Sequence, residues 1–378
     1  MARRRIIRRR ASVLIPHCPE PMRLLATISA LLLAAPLLAQ APAGAPTRTP
    51  VKMDSARATM LYVSNRHEDH PQANFAQQIA GKARTDSIFA VRSKGVMKYE
   101  KTSYKSRLDG LEIPAYVFSP LTPRGPKAHA ALVWVHGGVH GNWDQNYLPF
   151  IIEAVQQGYV VVAPDYRGST GYGAELYNAI DYGGKEVDDV EDAVDFLGKR
   201  AEVDPARIGI MGWSHGGFIA AHLLMRGSRS RFVAGVAIVP VTNLVFRLSY
   251  KGPGYQRPFS TQKALSGLPF EQRDEYIRRS PYYHVDSLQR PILVHVATND
   301  TDVDFVESRP LIDALVARKP DLAETKIYWD PTPGPASGGH TFSRRVNRET
   351  LLRDESPEQI DSWNRVWAFF DKHLKPTK

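Results

Sequence analysis

Short apolar runs alternate with longer amphipathic stretches along most of this chain. Strand-like runs lie at Ala131–Val135, Tyr159–Ala163, Ile208–Met211, Val233–Val239, Ile292–Val296 and Thr325–Trp329. Between them, Leu148–Gln157, Val187–Leu197, Gly217–Met225 and Phe305–Ala317 carry helical spacing. Apolar strands separated by helices predict a mostly parallel, doubly wound α/β sheet covered on both faces. Ahead of it, Met97–Phe118 alternates around Asp109-Gly110, a hairpin signal. The chain closes with a helix: Ser356 as N-cap, Pro357 at the first position and Gln359 at the third, followed by a buried stripe of Ile360, Trp363, Val366, Trp367 and Phe370.

Two segments depart from the rhythm. Residues 51–92 are polar and weakly patterned, and read as a helical N-terminal extension. Residues 250–283 hold Gly252, Pro253, Gly254, Pro258 and seven aromatics. They read either as a small cap over the carboxyl ends of the strands or as a helix pair packed on the core.

The first residues belong to a different problem. Met22-Arg23 precedes a 16-residue apolar stretch, Leu24 to Ala39, and then the small-x-small pattern Ala39-Gln40-Ala41. This is the layout of a secretory signal peptide over residues 1–41, with Met22 as an alternative start. The stretch contains Pro36 and is short for a membrane span, leaving an uncleaved anchor as the alternative. Residues 42–92 then form linker and extension, and 93–378 the main domain. The chain is expected to be periplasmic or secreted, with no stable membrane span after cleavage.

Removing that segment changes the charge balance. Of 49 basic and 39 acidic residues, formally +10, seven arginines and one glutamate lie in residues 1–41; 42 and 38 remain, a balance of +4. No aromatic-interleaved basic stripe follows, so no nucleic-acid partner is expected. Cys18, the single cysteine, leaves with the segment, which excludes disulfides, thiolate nucleophiles and cysteine-based zinc sites from the rest.

The chemistry centres on Gly212-Trp213-Ser214-His215-Gly216, placed between a strand-like run and a helix-like one. In that setting G-x-S-x-G is a nucleophile elbow, a sharp turn that holds the serine clear of the sheet. A serine hydroxyl needs a base, and the base an orienting acid. Asp300 lies just past a downstream strand, with Asp302 and Asp304 as competitors; His340 lies in a loop after the next strand and is the expected base. Oxyanion donors are expected at the N–H of His215 and in the His136-Gly137-Gly138 loop, Gly138 first and Gly137 second. His136 and His140 are four apart, but the glycines between them argue against a helical metal pair; no metal or cofactor is expected. The acidic run from Lys185 to Asp192 carries Val187, Val190, Val194 and Leu197 at helical spacing, so its carboxylates are expected on a solvent face.

Together, Trp134 to Gly138, Pro164-Asp165-Tyr166-Arg167-Gly168-Ser169-Thr170-Gly171-Tyr172-Gly173, Gly212 to Gly217, Ser280-Pro281 and Gly339-His340 resemble the catalytic domain of the prolyl oligopeptidase family of serine peptidases. The resemblance covers roughly residues 95–375. It implies an α/β-hydrolase fold with Ser214, Asp300 and His340 as triad, acting on a small peptide through an acyl-enzyme. Residues 42–95 are too short for the β-propeller that full-length members carry. Asp302 stands where prolyl-cleaving members often have an arginine, His215 replaces the usual tyrosine, and Val139 a common proline. A carboxylic ester is therefore the alternative substrate, and a non-catalytic binding protein a third reading.

Overall fold

A computed structural model describes residues 72–265, 267–331 and 338–374. The expected signal segment, the linker and the first part of the extension lie outside the described residues. The described extension begins with helix α1, Phe75–Arg92, capped by the Asn74 side chain accepting from the Gln77 N–H at 3.1 Å.

The hairpin forms as expected: β1 (Lys98–Lys105) pairs antiparallel with β2 (Glu112–Ser119). Then follow β3 (His129–Val135), α2 (Leu148–Gln156), β4 (Val160–Pro164), the short α3 (Ala174–Asn178) and α4 (Lys185–Gly198). Next come β5 (Val203–Trp213), α5 (His215–Leu224) and β6 (Gly235–Ile238). The insertion supplies α6 (Leu244–Tyr250), α7 (Pro253–Ser260) and α8 (Arg273–Arg278). Strand β7 (Ile292–Ala297), α9 (Phe305–Arg318), β8 (Ala323–Tyr328) and α10 (Pro357–Leu374) complete the order.

The eight strands form one sheet in the order β1-β2-β4-β3-β5-β6-β7-β8. Every pairing from β4 to β8 is parallel. Because apolar side chains leave both faces of β3 to β7, two buried layers result, one on each side of the sheet. The second holds Trp134, Trp213 and Trp363 with ring centroids 5.5–5.7 Å apart. Such aromatic contacts contribute about 0.5–1.5 kcal/mol each beyond the area they bury. This is an α/β-hydrolase fold, with the reversal of strand order at β3 placing the carboxyl ends of β3, β5 and β7 along one rim.

Two details differ from expectation. Trp329 falls just past β8 and is exposed, as is Ile360, which leaves the stripe of α10 to Trp363, Val366, Trp367 and Phe370. The insertion packs on the core, as the helix-pair reading expects, with Phe259, Leu265 and Tyr276 buried in it.

The largest correction concerns α4. Glu186, Asp189, Glu191 and Asp192 are buried rather than solvated. Arg167 reaches Asp189 with two hydrogen bonds, 2.7 and 2.8 Å, and Asp109 with two more, 2.9 and 3.0 Å. Arg107 binds Asp192 and Glu191, and Arg226 binds Glu191 and Asp188. The face that spacing assigned to water is covered by three arginines from elsewhere in the chain.

Candidate active site

Strand β5 runs into α5 through Ser214, whose φ of 56° and ψ of −120° belong to the strained turn that a nucleophile elbow requires. The flanking glycines are enforced by packing. A Cβ on Gly212 would collide with the Gly216 backbone, and one on Gly216 with the carbonyl of Val135 in β3. As the first residue of α5, His215 has an N–H with no helical carbonyl to bind, and it points from the positive end of the helix dipole. Its imidazole is buried among Tyr166, Tyr182 and Phe218. Burial first, and the Arg247 charge second, push its pKa down to about 3, so the ring is neutral.

The expected acid and base meet in the loops that follow β7 and β8. Asp300 follows β7 and directs Oδ2 at His340 Nδ1 over 2.8 Å. Its other oxygen accepts the N–H groups of Asp302 and Val303 at 2.9 Å each, which fixes the carboxylate plane. His340 sits in a single turn, Gly339–Thr341, and is buried. The loop after it is pinned beside the elbow: Trp213 Nε1 donates to Ser343 Oγ and Trp363 Nε1 to the Ser343 carbonyl, both at 2.8 Å. His340 Nε2 carries no hydrogen bond, from Ser214 or any other described group. Catalytic hydrogen bonds are often long before substrate arrives and tighten afterwards.

Asp302, one of the competing acids, faces that open nitrogen, with Oδ2 3.3 Å from Nε2. Burial alone would raise its pKa, but the charges of His340, Arg247 and Lys251 outweigh burial and lower it. Arg247 was not singled out in the sequence. From α6 it binds the Asp302 carbonyl at 3.1 Å and carboxylate at 3.2 Å, Glu307 at 3.0 Å and the Tyr255 hydroxyl at 2.6 Å. A lone arginine between Leu244 and Leu248 was the available signal. Asp304 precedes α9 and makes neither contact to His340.

The loop after β3 approaches the elbow from the other side. The Gly137 N–H donates to the Tyr147 hydroxyl at 3.1 Å, so it is engaged, whereas that of Gly138 has no acceptor among the described residues. Asp165 holds this loop from beneath. One oxygen accepts the Trp143 N–H at 2.7 Å; the other accepts the Tyr172 hydroxyl at 2.6 Å and pairs with Lys82 of α1 at 2.5 Å. His136 Nε2 bonds Ser169 Oγ and His140 Nδ1 bonds the Gly168 carbonyl, each at 2.8 Å, while their rings stack on Tyr166 and Tyr177. Both imidazoles are therefore built into the loop packing.

A model described as the prolyl oligopeptidase family matches residues 146–377, a range that includes Ser214, Asp300 and His340. The uncharacterized peptidase YuxL of Bacillus subtilis is 29% identical over 287 residues, 75% of this chain and 40% of that protein. Acylamino-acid-releasing enzyme 1 of Oryza sativa is 25% identical over 307 residues, covering 77% and 36%. Dipeptidyl aminopeptidase BIII of Pseudoxanthomonas mexicana is 30% identical over 221 residues, covering 57% and 31%. The match thus spans well under half the length of each relative. Among solved structures, the acylaminoacyl peptidase of Pyrococcus horikoshii superposes with a TM-score of 0.57 at 21% identity, covering 78% of this chain and 44% of that one. At that identity the likeness shows a common fold.

Proposed function

Because the chain belongs to the prolyl oligopeptidase family, we propose that it is a serine peptidase that cleaves short peptides through an acyl-enzyme. Ser214 Oγ bonds to the carbonyl carbon while its proton passes to His340 Nε2. Asp300 keeps the imidazole oriented through Nδ1 and stabilises the imidazolium. The N–H groups of His215 and Gly138 receive the developing oxyanion, and Gly137 drops out as a donor because Tyr147 already occupies it. The C–N bond breaks as His340 returns the proton to the leaving nitrogen. Water then repeats the sequence on the ester, releasing a carboxylic acid and restoring the serine.

The observation that carries this reading is the 2.8 Å Asp300–His340 hydrogen bond, in a loop tied by Trp213 to the residue before the strained serine. His340 Nε2, the nitrogen that must accept the proton, carries no hydrogen bond, and Asp302 Oδ2 lies 3.3 Å from it. Short peptides are favoured by the relatives, which include an acylamino-acid-releasing enzyme and a dipeptidyl aminopeptidase. Export to the periplasm or beyond rests on the apolar Leu24–Ala39 stretch and its small-residue boundary. Among the described residues no helix is long and apolar enough to cross a membrane.

Turnover of aminoacyl nitroanilides against short-chain nitrophenyl esters tests the substrate. Anilide cleavage that disappears in Ser214→Ala is expected. Ester turnover with negligible anilide cleavage would replace the peptidase by a carboxylic ester hydrolase using the same residues.

A further inference from the structure

A cavity of about 490 Å³ opens between the oxyanion loop and the segment that follows His340. Its size falls within the range of small-molecule sites. Its lining includes Gly137, Trp213 and Thr341, the chain neighbours of Gly138, Ser214 and His340. Arg344, Arg345 and Arg348 line it as well.

These arginines are not equivalent. Arg345 is paired with Asp354 at 2.9 Å. Arg344 has its Nε buried without a hydrogen-bond partner among the described residues, and Arg348 is exposed. The one carboxyl in the wall, Asp144, is already engaged: its oxygens accept from the Asn146 N–H at 2.9 Å and side-chain amide at 3.1 Å. Burial raises its pKa, against the Asn146 hydrogen bonds and the charge of Arg344, which lower it. The cavity therefore holds an excess of positive charge, three arginines against one carboxyl. A carboxylate bound there would meet guanidinium groups with charge-assisted bonds in the planar geometry they prefer.

We propose that this cavity is an anion subsite in which Arg344 and Arg348 hold a carboxylate on the leaving group, selecting short peptides with a free C-terminus. The inference rests on the acyl-enzyme reading above, because it assigns the side of the scissile bond. His340 hands its proton to the leaving atom, and the arginine segment starts at the next residue. The departing half of the substrate therefore extends over residues 341–348.

The test uses peptides identical except for a C-terminal carboxylate or carboxamide, with nitrophenyl acetate as a neutral reporter of the catalytic machinery. The wild-type protein is expected to cleave the acid with a kcat/KM about tenfold or more above the amide, mostly through KM. That ratio should fall toward one in Arg344→Met and in Arg348→Met, and shrink with added salt. Arg348 is exposed, so its variant is expected to fold even if Arg344→Met does not. Equal cleavage of acid and amide, or a preference that survives both substitutions, overturns the subsite. Binding of alanyl-alanine and its amide, followed by calorimetry, needs no turnover. A carboxylate preference there without nitrophenyl acetate hydrolysis would keep the subsite and remove the serine-hydrolase reading instead.

Discussion

Two regions of this molecule are built from charged side chains, and they behave in opposite ways. At the rim of the sheet, Asp300 and His340 form one short contact and leave Nε2 without a hydrogen bond, 3.3 Å from Asp302 Oδ2. Beneath it, Asp165, Arg167 and Asp189 are bonded on almost every side by Lys82, Trp143, Tyr172 and Asp109. The difference separates chemistry from support. A reacting group needs an open valence, while a buried charge with an open valence would cost several kcal/mol and must be fully satisfied. Changes at the rim should therefore remove turnover and spare the fold, and changes in the buried bracket should do the reverse.

The largest expected effect is at the nucleophile. Ser214→Ala should lower kcat by about 10⁴-fold or more with the unfolding midpoint nearly unchanged, read by single-turnover kinetics beside a denaturant titration. Asp300→Asn should lower kcat by about 10⁴-fold, as loss of the orienting acid does elsewhere. Asp302→Asn, which removes a half-exposed charge, should change it by at most about fivefold. Equal losses from the two aspartates would mean that the acid has been misassigned.

In the bracket the order reverses. Arg167→Met strips Asp189 and Asp109 of four hydrogen bonds and should destabilise the fold by about 3–5 kcal/mol, measured by denaturant unfolding. Lys82→Met should do the same through Asp165, and any protein that remains folded should keep most of its Ser214 reactivity. A fully stable Arg167→Met would show that the bracket is replaceable packing.

A further effect is in the pH dependence of stability. Burial pushes the pKa of His222 down to about 3 from an ordinary 6.5, with the charge of Arg226 adding to it. The folded ring stays neutral where the unfolded one takes a proton, so its contribution is present above about pH 6.5 and is lost as pH falls toward 3. Both ring nitrogens are buried without partners. His222→Leu should therefore flatten the acid limb of a stability-versus-pH curve by up to about 1.4 kcal/mol per pH unit. An unchanged slope would contradict the neutral assignment.

What could be read from the sequence follows the same division. The sheet, the helices around it and the elbow were legible because each depends on local pattern: apolar runs, helical spacing and glycines whose Cβ would strike a neighbouring strand. Asp300 and His340 were expected from their order after the serine and the strands before them, and the fold brings them within 2.8 Å of each other. The burial of α4 was not legible. Its carboxylates have the spacing of a solvated face, and the arginines that cover it come from positions 107, 167 and 226, which only the folded chain brings together. Arg247 was missed for the same reason, its partner Glu307 lying 60 residues away. The engagement of Gly137 depends on Tyr147 folding back over the loop, which no motif records.

The central claim is that Ser214 is an activated nucleophile served by His340. Mass spectrometry of the folded protein after fluorophosphonate treatment tests it most directly. One adduct per chain on Ser214, slowed at least about 10³-fold in His340→Ala, is the predicted result. Folded protein that stays unlabelled at Ser214, or that labels equally fast without His340, would contradict it.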